Sequence, residues 1–382
     1  MSGRIRLGMV GGGQGAFIGA VHRIAARLDD RYELVAGAFS SDAARARASA
    51  AELHVAPDRA YASWQEMVAA EAARPDPVEA VSVVTPNHMH GEPAIAFLKA
   101  GIHVICDKPL CHTLAAAQEV ERATLESRAL FALTHNYTGY PMVRQARAMV
   151  AEGAIGALRV VQVEYPQEWL TTRLEESGQK QAAWRTDPAR SGAAGSVGDI
   201  GTHAFNLVEF VTGRHVESVA ADLTTFVPGR RLDDNAHMLL RLEGGARGML
   251  WCSQVAPGNE NALRLRVYGE RGGLDWAQEQ PNLLVHSPFG EAPRMIRRGG
   301  AGAMPAAAQA TRIPSGHPEG YLEAFAQIYR DFAEEIVAAR EGKAPDPARR
   351  LVPGIEEGMR GMRFIEAAVS SSQRDAGWVA IG

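Results

Sequence analysis

A strand that runs directly into a glycine-rich turn and then a helix leaves a chain few architectures. Ile5-Arg6-Leu7-Gly8-Met9-Val10 alternates as a strand, passes into Gly11-Gly12-Gly13-Gln14-Gly15-Ala16-Phe17-Ile18-Gly19, and continues as a helical stretch to Leu28. That order is the one a dinucleotide site demands. Glycines allow the tight turn and let backbone N–H groups approach a pyrophosphate, whose charge the helix N-terminus stabilises. Gly11, Gly13 and Ala16 satisfy the Gly-x-Gly-x-x-Gly/Ala spacing; Gly11, Gly13 and Gly19 serve instead with three extra residues in the loop. Gln14, Phe17 and Ile18 fall among the cofactor-facing positions under either reading. A turn of this kind can also bind nothing, so the decision rests on its context.

The context is a continued alternation of strands and helices. A second strand, Glu33 to Phe39, ends about twenty residues past the loop, where a Rossmann unit normally sets an acid on the adenosine ribose. Phe39-Ser40-Ser41-Asp42 holds that place here. Ser40 and Ser41 can bond either a hydroxyl or a 2'-phosphate, and Asp42 also reads as the cap of a helix from Ala43 to Leu53. NAD and NADP therefore both stay open, with NAD placed first. Next come the strand Ala80–Val84, the segment Thr85-Pro86-Asn87-His88-Met89-His90, and a helix to Lys99. The apolar run Ile102-His103-Val104-Ile105-Cys106 then ends in Asp107-Lys108-Pro109, followed by a helix from Thr113 to Ser127 and a strand Leu130–Leu133. Such alternation argues for a parallel sheet covered on both faces, with ligands outside the carboxyl ends of its strands. The rule lines up Gly11 to Gly19, Ser40, Thr85 to His90, Asp107 to Pro109 and His135-Asn136 along one rim.

At 382 residues the chain exceeds what a single core supports, so two domains are expected, 1–135 and 136–382. Beyond His135 the pattern changes. A helix from Tyr140 to Glu152 is followed by alternating segments at 158–165, 217–226, 236–242, 246–252, 263–268 and 283–286. Strands this close, without helices between most of them, predict an open, mainly antiparallel sheet with one flat face available to a partner. The fold class is α/β: an N-terminal Rossmann parallel sheet plus a C-terminal α/β domain with an open, mainly antiparallel sheet. Gly299 to Pro314 reads as a loop. Helices over 319–341 and 353–371 are expected to pack between the domains, with Tyr321, Phe325, Ile328, Phe332 and Ile336 as a core stripe.

A net charge of -4 with acids and bases interspersed offers no basic stripe to a phosphate backbone, and no apolar run is long enough to span a bilayer. Neither nucleic acid nor membrane is an expected partner. The three cysteines, Cys106, Cys111 and Cys252, form neither a disulfide framework nor a metal-binding pair, and no metal site is expected. The first residues lack the pattern of a signal peptide, so a reducing cytoplasm is the expected location.

Trp184-Arg185-Thr186-Asp187-Pro188 and Gly198-Asp199-Ile200-Gly201-Thr202-His203 interrupt the strands of the second half. Asp199 and His203 are four apart and share a face near a helix start. A glycine-rich approach to such a pair suits a pocket wall. The plainer reading makes Asp199 a helix cap and His203 a packed core histidine.

Three motifs in order, the glycine loop ending Gly19-Ala20-Val21-His22, then Asp107-Lys108-Pro109, then Gly198 to His203, give a chain that resembles the Gfo/Idh/MocA family of nicotinamide-dependent oxidoreductases over essentially its whole length. The family's middle motif usually reads Glu-Lys-Pro, so Asp107 keeps the carboxylate on a shorter stem. The resemblance implies NAD or NADP along the strand rim and a sugar, sugar acid or cyclic polyol held over the nicotinamide. It implies that Lys108 orients the reacting hydroxyl and lowers its pKa, and that Asp199 and His203 bind neighbouring hydroxyls and exchange the proton. Thr85, Pro86, Asn87, His90, Asp107 and Asn136 are then cofactor residues, Trp184 and Arg185 match a loop that approaches substrate and nicotinamide, and Tyr137 and Tyr165 join the substrate set. A cis Lys108-Pro109 bond and a homodimer or homotetramer are further implications. The residues suit the chemistry independently: oxidising a secondary alcohol needs a base near neutrality, and histidine or a perturbed lysine supplies one. The leading expectation is a reversible dehydrogenase acting on a ring hydroxyl. The alternatives are a glycoside hydrolase that oxidises its sugar only transiently, and a non-catalytic cofactor sensor, which would need neither Lys108 nor the Asp199/His203 pair.

Overall fold

The computed structural model describes residues 3–343 and 350–382. Contacts divide it into two compact units, 1–136 with 322–359, and 137–321 with 360–382. Leu322–Met359 thus groups with the first unit, whereas a division at residue 135 assigns it to the second.

The first unit alternates β1 (Ile5–Gly11), α1 (Phe17–Leu28), β2 (Tyr32–Ala38), α2 (Ala43–Glu52), α3 (Trp64–Ala72), β3 (Ala80–Val84), α4 (Gly91–Lys99), β4 (His103–Cys106), α5 (Leu114–Glu126) and β5 (Phe131–Leu133). The strands form one parallel sheet in the order β2-β1-β3-β4-β5. Every residue of β3 is buried, as a parallel strand covered on both faces requires. Strand order reverses between β1 and β3, where Gly11 pairs with Val84, and the carboxyl ends at such a switch are where α/β sheets bind ligands.

Phe39, just past β2, is buried with Met9, Ala50, Val55 and Val84. The Asp42 carboxylate caps α2 by accepting from the Arg45 N–H at 2.7 Å. Helix α3 does not stand out in the apolar pattern, but its start is chemically marked: Ser63 accepts from the Glu66 N–H and the Glu66 carboxylate reaches back to the Ala62 N–H.

The second unit contains α6 (Pro141–Ala151), β6 (Leu158–Pro166), α7 (Lys180–Arg185), α8 (Pro188–Ser191), α9 (Thr202–Thr212), β7 (Val216–Thr224), β8 (Asn235–Leu242), β9 (Arg247–Ser253), β10 (Arg264–Gly269), β11 (Gly272–Ala277), β12 (Leu283–Pro288), β13 (Arg294–Arg297) and α10 (Pro305–Gln309). Helix α11 (Tyr321–Arg340) follows, its Phe325, Ile328, Phe332 and Ile336 buried as the stripe implied, then α12 (Ile355–Ser372) and β14 (Val379–Ala380). The nine-stranded sheet runs β13-β12-β11-β10-β6-β9-β8-β7-β14. Only β6 and β9 pair in parallel, so the sheet is mainly antiparallel.

Along β6, Val161, Val163 and Tyr165 are buried on the side that α9 covers, while the opposite face leaves Val160, Leu239, Met249 and Tyr268 exposed. Alternation does not reveal strands β11 and β13, β11 because it opens on two glycines. The segment Gly299 to Pro314 is not wholly loop: Pro305, preset for a first helical turn, opens α10. No described helix is long and apolar enough to cross a membrane.

Candidate active site

The structure resolves which glycines of the loop do what. A Cβ on Gly19 would lie 2.3 Å from the Gly12 carbonyl oxygen and 2.4 Å from its Cα, so Gly19 is the glycine that lets α1 close onto the turn. Ala16 is the residue before the helix and not a packing point within it. Gly11, Gly12 and Gly15 have φ of +80°, +70° and +77°, the left-handed region glycine occupies without strain. Arg23 Nη1 donates to the Gly12 carbonyl at 2.6 Å, and the Gly13 N–H donates to the Phe39 carbonyl at 3.2 Å, tying the loop to the end of β2. No side chain caps α1 and its first turn carries no acid. That bare N-terminus, beside backbone stripped of Cβ atoms, fits a pyrophosphate.

Other rim positions divide into open and spent groups. Phe17 is exposed and Ala16 and Ile18 half-exposed beside the loop. Gln14 is exposed, and its Nε2 donates to Glu52 at 2.9 Å. Ser40 Oγ accepts from the Asp42 N–H, while Ser41 is exposed. Thr85 Oγ1 donates to the Met89 carbonyl across the turn that contains Pro86 and buried Asn87. His90 is expected to line the cofactor, but it is buried with Nδ1 2.9 Å from the Pro109 carbonyl and Nε2 2.8 Å from the Thr85 carbonyl. Its nitrogens brace the ends of β3 and β4 from within the fold.

The Asp107 carboxylate, at the end of β4, accepts through Oδ1 from the Lys108 N–H at 2.9 Å and from Thr134 Oγ1 at 3.0 Å. The Lys108-Pro109 peptide is cis. Burial pushes the His135 imidazole down to about 3, and the positive charge of nearby Lys108 adds to the shift. Asp107, Lys108, Thr134 and His135 therefore form one group, with buried Asn136 next in the chain.

In the second unit, the backbone between Asp199 and His203 is not a plain α-helix. Val197–Gly201 forms a wide π-type turn that leads directly into α9. Such turns cost regularity and recur at functional sites. Its approach is fixed by Asp233, whose buried carboxylate accepts from the Gly195 N–H, Ser196 Oγ and the Val197 N–H at 2.6–2.9 Å. A Cβ on Gly195 would lie 2.2 Å from the Asp233 carbonyl, which accounts for the glycine.

Asp199 Oδ2 accepts from Arg185 Nε at 3.0 Å and from Gln254 Nε2 at 2.9 Å. The Arg185 guanidinium stacks over Trp184, 4.3 Å from the ring centroid. The His203 ring meets Tyr137 edge-on at 4.7 Å, and Tyr137 and Tyr165 are hydrogen-bonded through their hydroxyls. Burial pushes both phenols above their ordinary range, so they are hydroxyl groups at neutral pH. Asn261 Oδ1 accepts from Tyr165 OH and from Gln167 Nε2, both at 2.7 Å. Sequence reasoning misses Gln254, Asn261, Gln167 and Asp233: an isolated polar residue at a strand end carries no spacing that marks it. Among the described residues no cluster is arranged to hold a metal ion.

Residues 5–135 match the oxidoreductase family with an NAD-binding Rossmann fold, and residues 143–275 match the GFO/IDH/MocA C-terminal domain. The chain belongs to the Gfo/Idh/MocA oxidoreductases. Within this family it is similar to the crystal structure of an oxidoreductase from Sinorhizobium meliloti, at 57% identity over 98% of this chain and 99% of that one, with a TM-score of 0.89. An inositol dehydrogenase homologue from Azotobacter vinelandii is 36% identical over 100% of this chain and 98% of its own. Its complex with NAD+ superposes with a TM-score of 0.94, and its complex with NADH and myo-inositol with 0.91. The levoglucosan dehydrogenase of Pseudarthrobacter phenanthrenivorans is 26% identical over 73% of this chain and 75% of its own. This Gfo/Idh/MocA chain is thus an oxidoreductase with an NAD-binding Rossmann unit and a mixed-sheet second unit.

Proposed function

We propose that the protein is an NAD(P)-dependent dehydrogenase that moves a hydride between the nicotinamide and a ring hydroxyl carbon of a cyclic polyol, sugar or sugar acid. The observation that carries the reading is the wall of hydroxyl-binding groups in the second unit, Asp199, His203, Tyr137, Tyr165 and Gln254, on a chain whose relative at 36% identity takes myo-inositol. The Gly12/Gly19 contact and the bare start of α1 favour a dinucleotide on the first unit. With Phe39 committed to the core and Asp42 to a cap, Ser40 and Ser41 are left to meet a ribose hydroxyl or a 2'-phosphate, and the NAD+ and NADH complexes of the inositol dehydrogenase homologue support NAD first.

When bound, the cofactor supplies the hydride acceptor. Lys108 orients the reacting hydroxyl and lowers its pKa, Asp199 accepts a hydrogen bond from a neighbouring hydroxyl, and His203 takes the proton as the alcohol becomes a ketone. Arg185 holds the Asp199 carboxylate, and Trp184 flattens the wall behind it. The exposed sheet face with Val160, Leu239, Met249 and Tyr268 is the surface on which copies of the chain pair as a homo-oligomer.

A screen of inositols, sugars and sugar acids with NAD and NADP at matched concentrations, read as absorbance of the reduced ring, tests the reading. Release of aglycone from glycosides without stoichiometric NADH would replace it with the redox-neutral hydrolase.

A further inference from the structure

Among the buried polar groups of the first unit that the proposed roles do not use is a chain that starts at His22. His22 lies on α1 just after Gly19 and is fully buried. Its Nδ1 is 2.8 Å from Tyr329 OH on α11, and that hydroxyl is 2.7 Å from Ser82 Oγ on β3. Its Nε2 has no hydrogen-bond partner and lies 4.0 Å from Asp107 Oδ2, the oxygen opposite the one that binds the Lys108 N–H and Thr134. Phe325 and Tyr329 pack edge-on against the ring at 5.2 and 5.8 Å. The charged and titratable groups that act on it are Asp107, Arg23 and His90.

Burial pushes His22 down to about 4, so at neutral pH the ring carries one proton. Were that proton on Nδ1, the Nε2 lone pair would face a carboxylate across an apolar gap. With the proton on Nε2, the N–H dipole points at the carboxylate and Nδ1 is free to accept. The hydroxyls then align in one sense: Ser82 donates to Tyr329, Tyr329 donates to Nδ1, and Nε2–H faces Asp107 Oδ2.

We propose that His22 is a positioning residue: held by Tyr329 and Ser82 as the Nε2–H tautomer, it orients the Asp107 carboxylate and, through it, the backbone that carries Lys108. The Asp107 carboxylate is thereby fixed at both oxygens, by hydrogen bonds on one and a dipole on the other. Because α1 also begins at the glycine loop, one helix sets both the cofactor turn and the lysine. The inference rests on the dehydrogenase reading of Lys108.

Two measurements on the full chain test it. Long-range 1H–15N spectra of the imidazoles are expected to show His22 protonated at Nε2 and bare at Nδ1 from pH 5 to 8, with Tyr329→Phe converting it to a tautomer mixture. In turnover, His22→Leu and Tyr329→Phe are expected to lower kcat about tenfold with both KM values within about twofold, the scale for a slightly misplaced reacting group. His22→Gln, whose amide offers an acceptor and a donor, is expected to recover most of that loss. An Nδ1–H signal in the wild type, unchanged kcat in both variants, or a Gln variant no better than Leu would overturn the proposal. If His22→Leu fails to fold, Tyr329→Phe, which removes a single hydroxyl, decides the matter by the same two readouts. Failure of the dehydrogenase reading would show separately, as unchanged turnover in Lys108→Ala with the His22 tautomer still fixed.

Discussion

Arg185 donates through Nε to Asp199 Oδ2 at 3.0 Å while its guanidinium carbon sits over the Trp184 ring, 4.3 Å from the centroid. With Gln254 bonded to the same oxygen, the carboxylate is held from two elements, α7 and the end of β9. In the proposed reaction Asp199 is then a fixed acceptor for a substrate hydroxyl, with His203 left to carry the proton. Gln254→Leu and Arg185→Lys are expected to lower kcat/KM about tenfold, mainly through KM, since each removes a hydrogen bond to a charged group. Steady-state kinetics with the best polyol from the screen check this; an effect confined to kcat would argue against the assignment.

Lys108→Ala and His203→Ala are each expected to lower turnover by at least about a hundredfold, the scale for a positioned acid-base group. NADH binding, followed by fluorescence of the reduced ring, is expected to stay within about threefold. Unchanged turnover in both would remove them from the site.

Gly19→Ala places a methyl 2.3 Å from the Gly12 carbonyl oxygen, and neither partner is a flexible side chain. The expected result is about 1–3 kcal/mol of lost stability, the usual cost of overpacking, with at least tenfold weaker NADH binding. Ala16→Gly, at the other candidate position, is expected to leave binding near wild type. Thermal melts and NADH titrations of the two variants decide between the two spacings of the loop.

How much is legible in the sequence turns on distinctions of this kind. The parallel sheet, its rim and the mainly antiparallel second sheet follow from periodicity, because buried strands and alternating half-buried strands are compositionally distinct. The third glycine is ambiguous because spacing alone does not report where helix and turn touch. The wide turn at Val197–Gly201 is hidden because four-residue spacing suits α and π geometry alike. The contacts of His90 are hidden because an imidazole beside a binding turn looks the same in sequence whether its nitrogens face a ligand or two backbone carbonyls.

Two buried imidazoles set an acid limit on stability. His22 and His135 are pushed down to about 4 and about 3, whereas in the unfolded chain histidine titrates near about 6.5. Below that value the unfolded state binds more protons, so stability falls as pH drops, by up to about 1.4 kcal/mol per pH unit for each group, until the folded-state values are reached. Urea midpoints are expected to be flat in this contribution above about pH 7 and to fall steadily between about pH 6 and 4. His22→Gln should reduce the slope in that window, and an unchanged slope would show that His22 does not titrate with folding.

On the open sheet face, Leu239→Arg with Met249→Asp is expected to shift the protein to a smaller species by light scattering, with secondary structure retained, since both side chains are exposed in the single chain. An unchanged mass would place the pairing surface elsewhere.

The parallel pairing of β6 with β9 has a consequence for how the second unit is built during synthesis. β6 is its first strand to leave the ribosome, yet both neighbours lie about 90 to 110 residues downstream, Val160 pairing with Arg247 on one side and with Tyr268 on the other. At roughly 5–20 residues per second, β6 waits on the order of 5 to 20 seconds with both edges unpaired. The central strand of the finished sheet is thus left with neither edge covered during synthesis, an interval in which aggregation competes with folding.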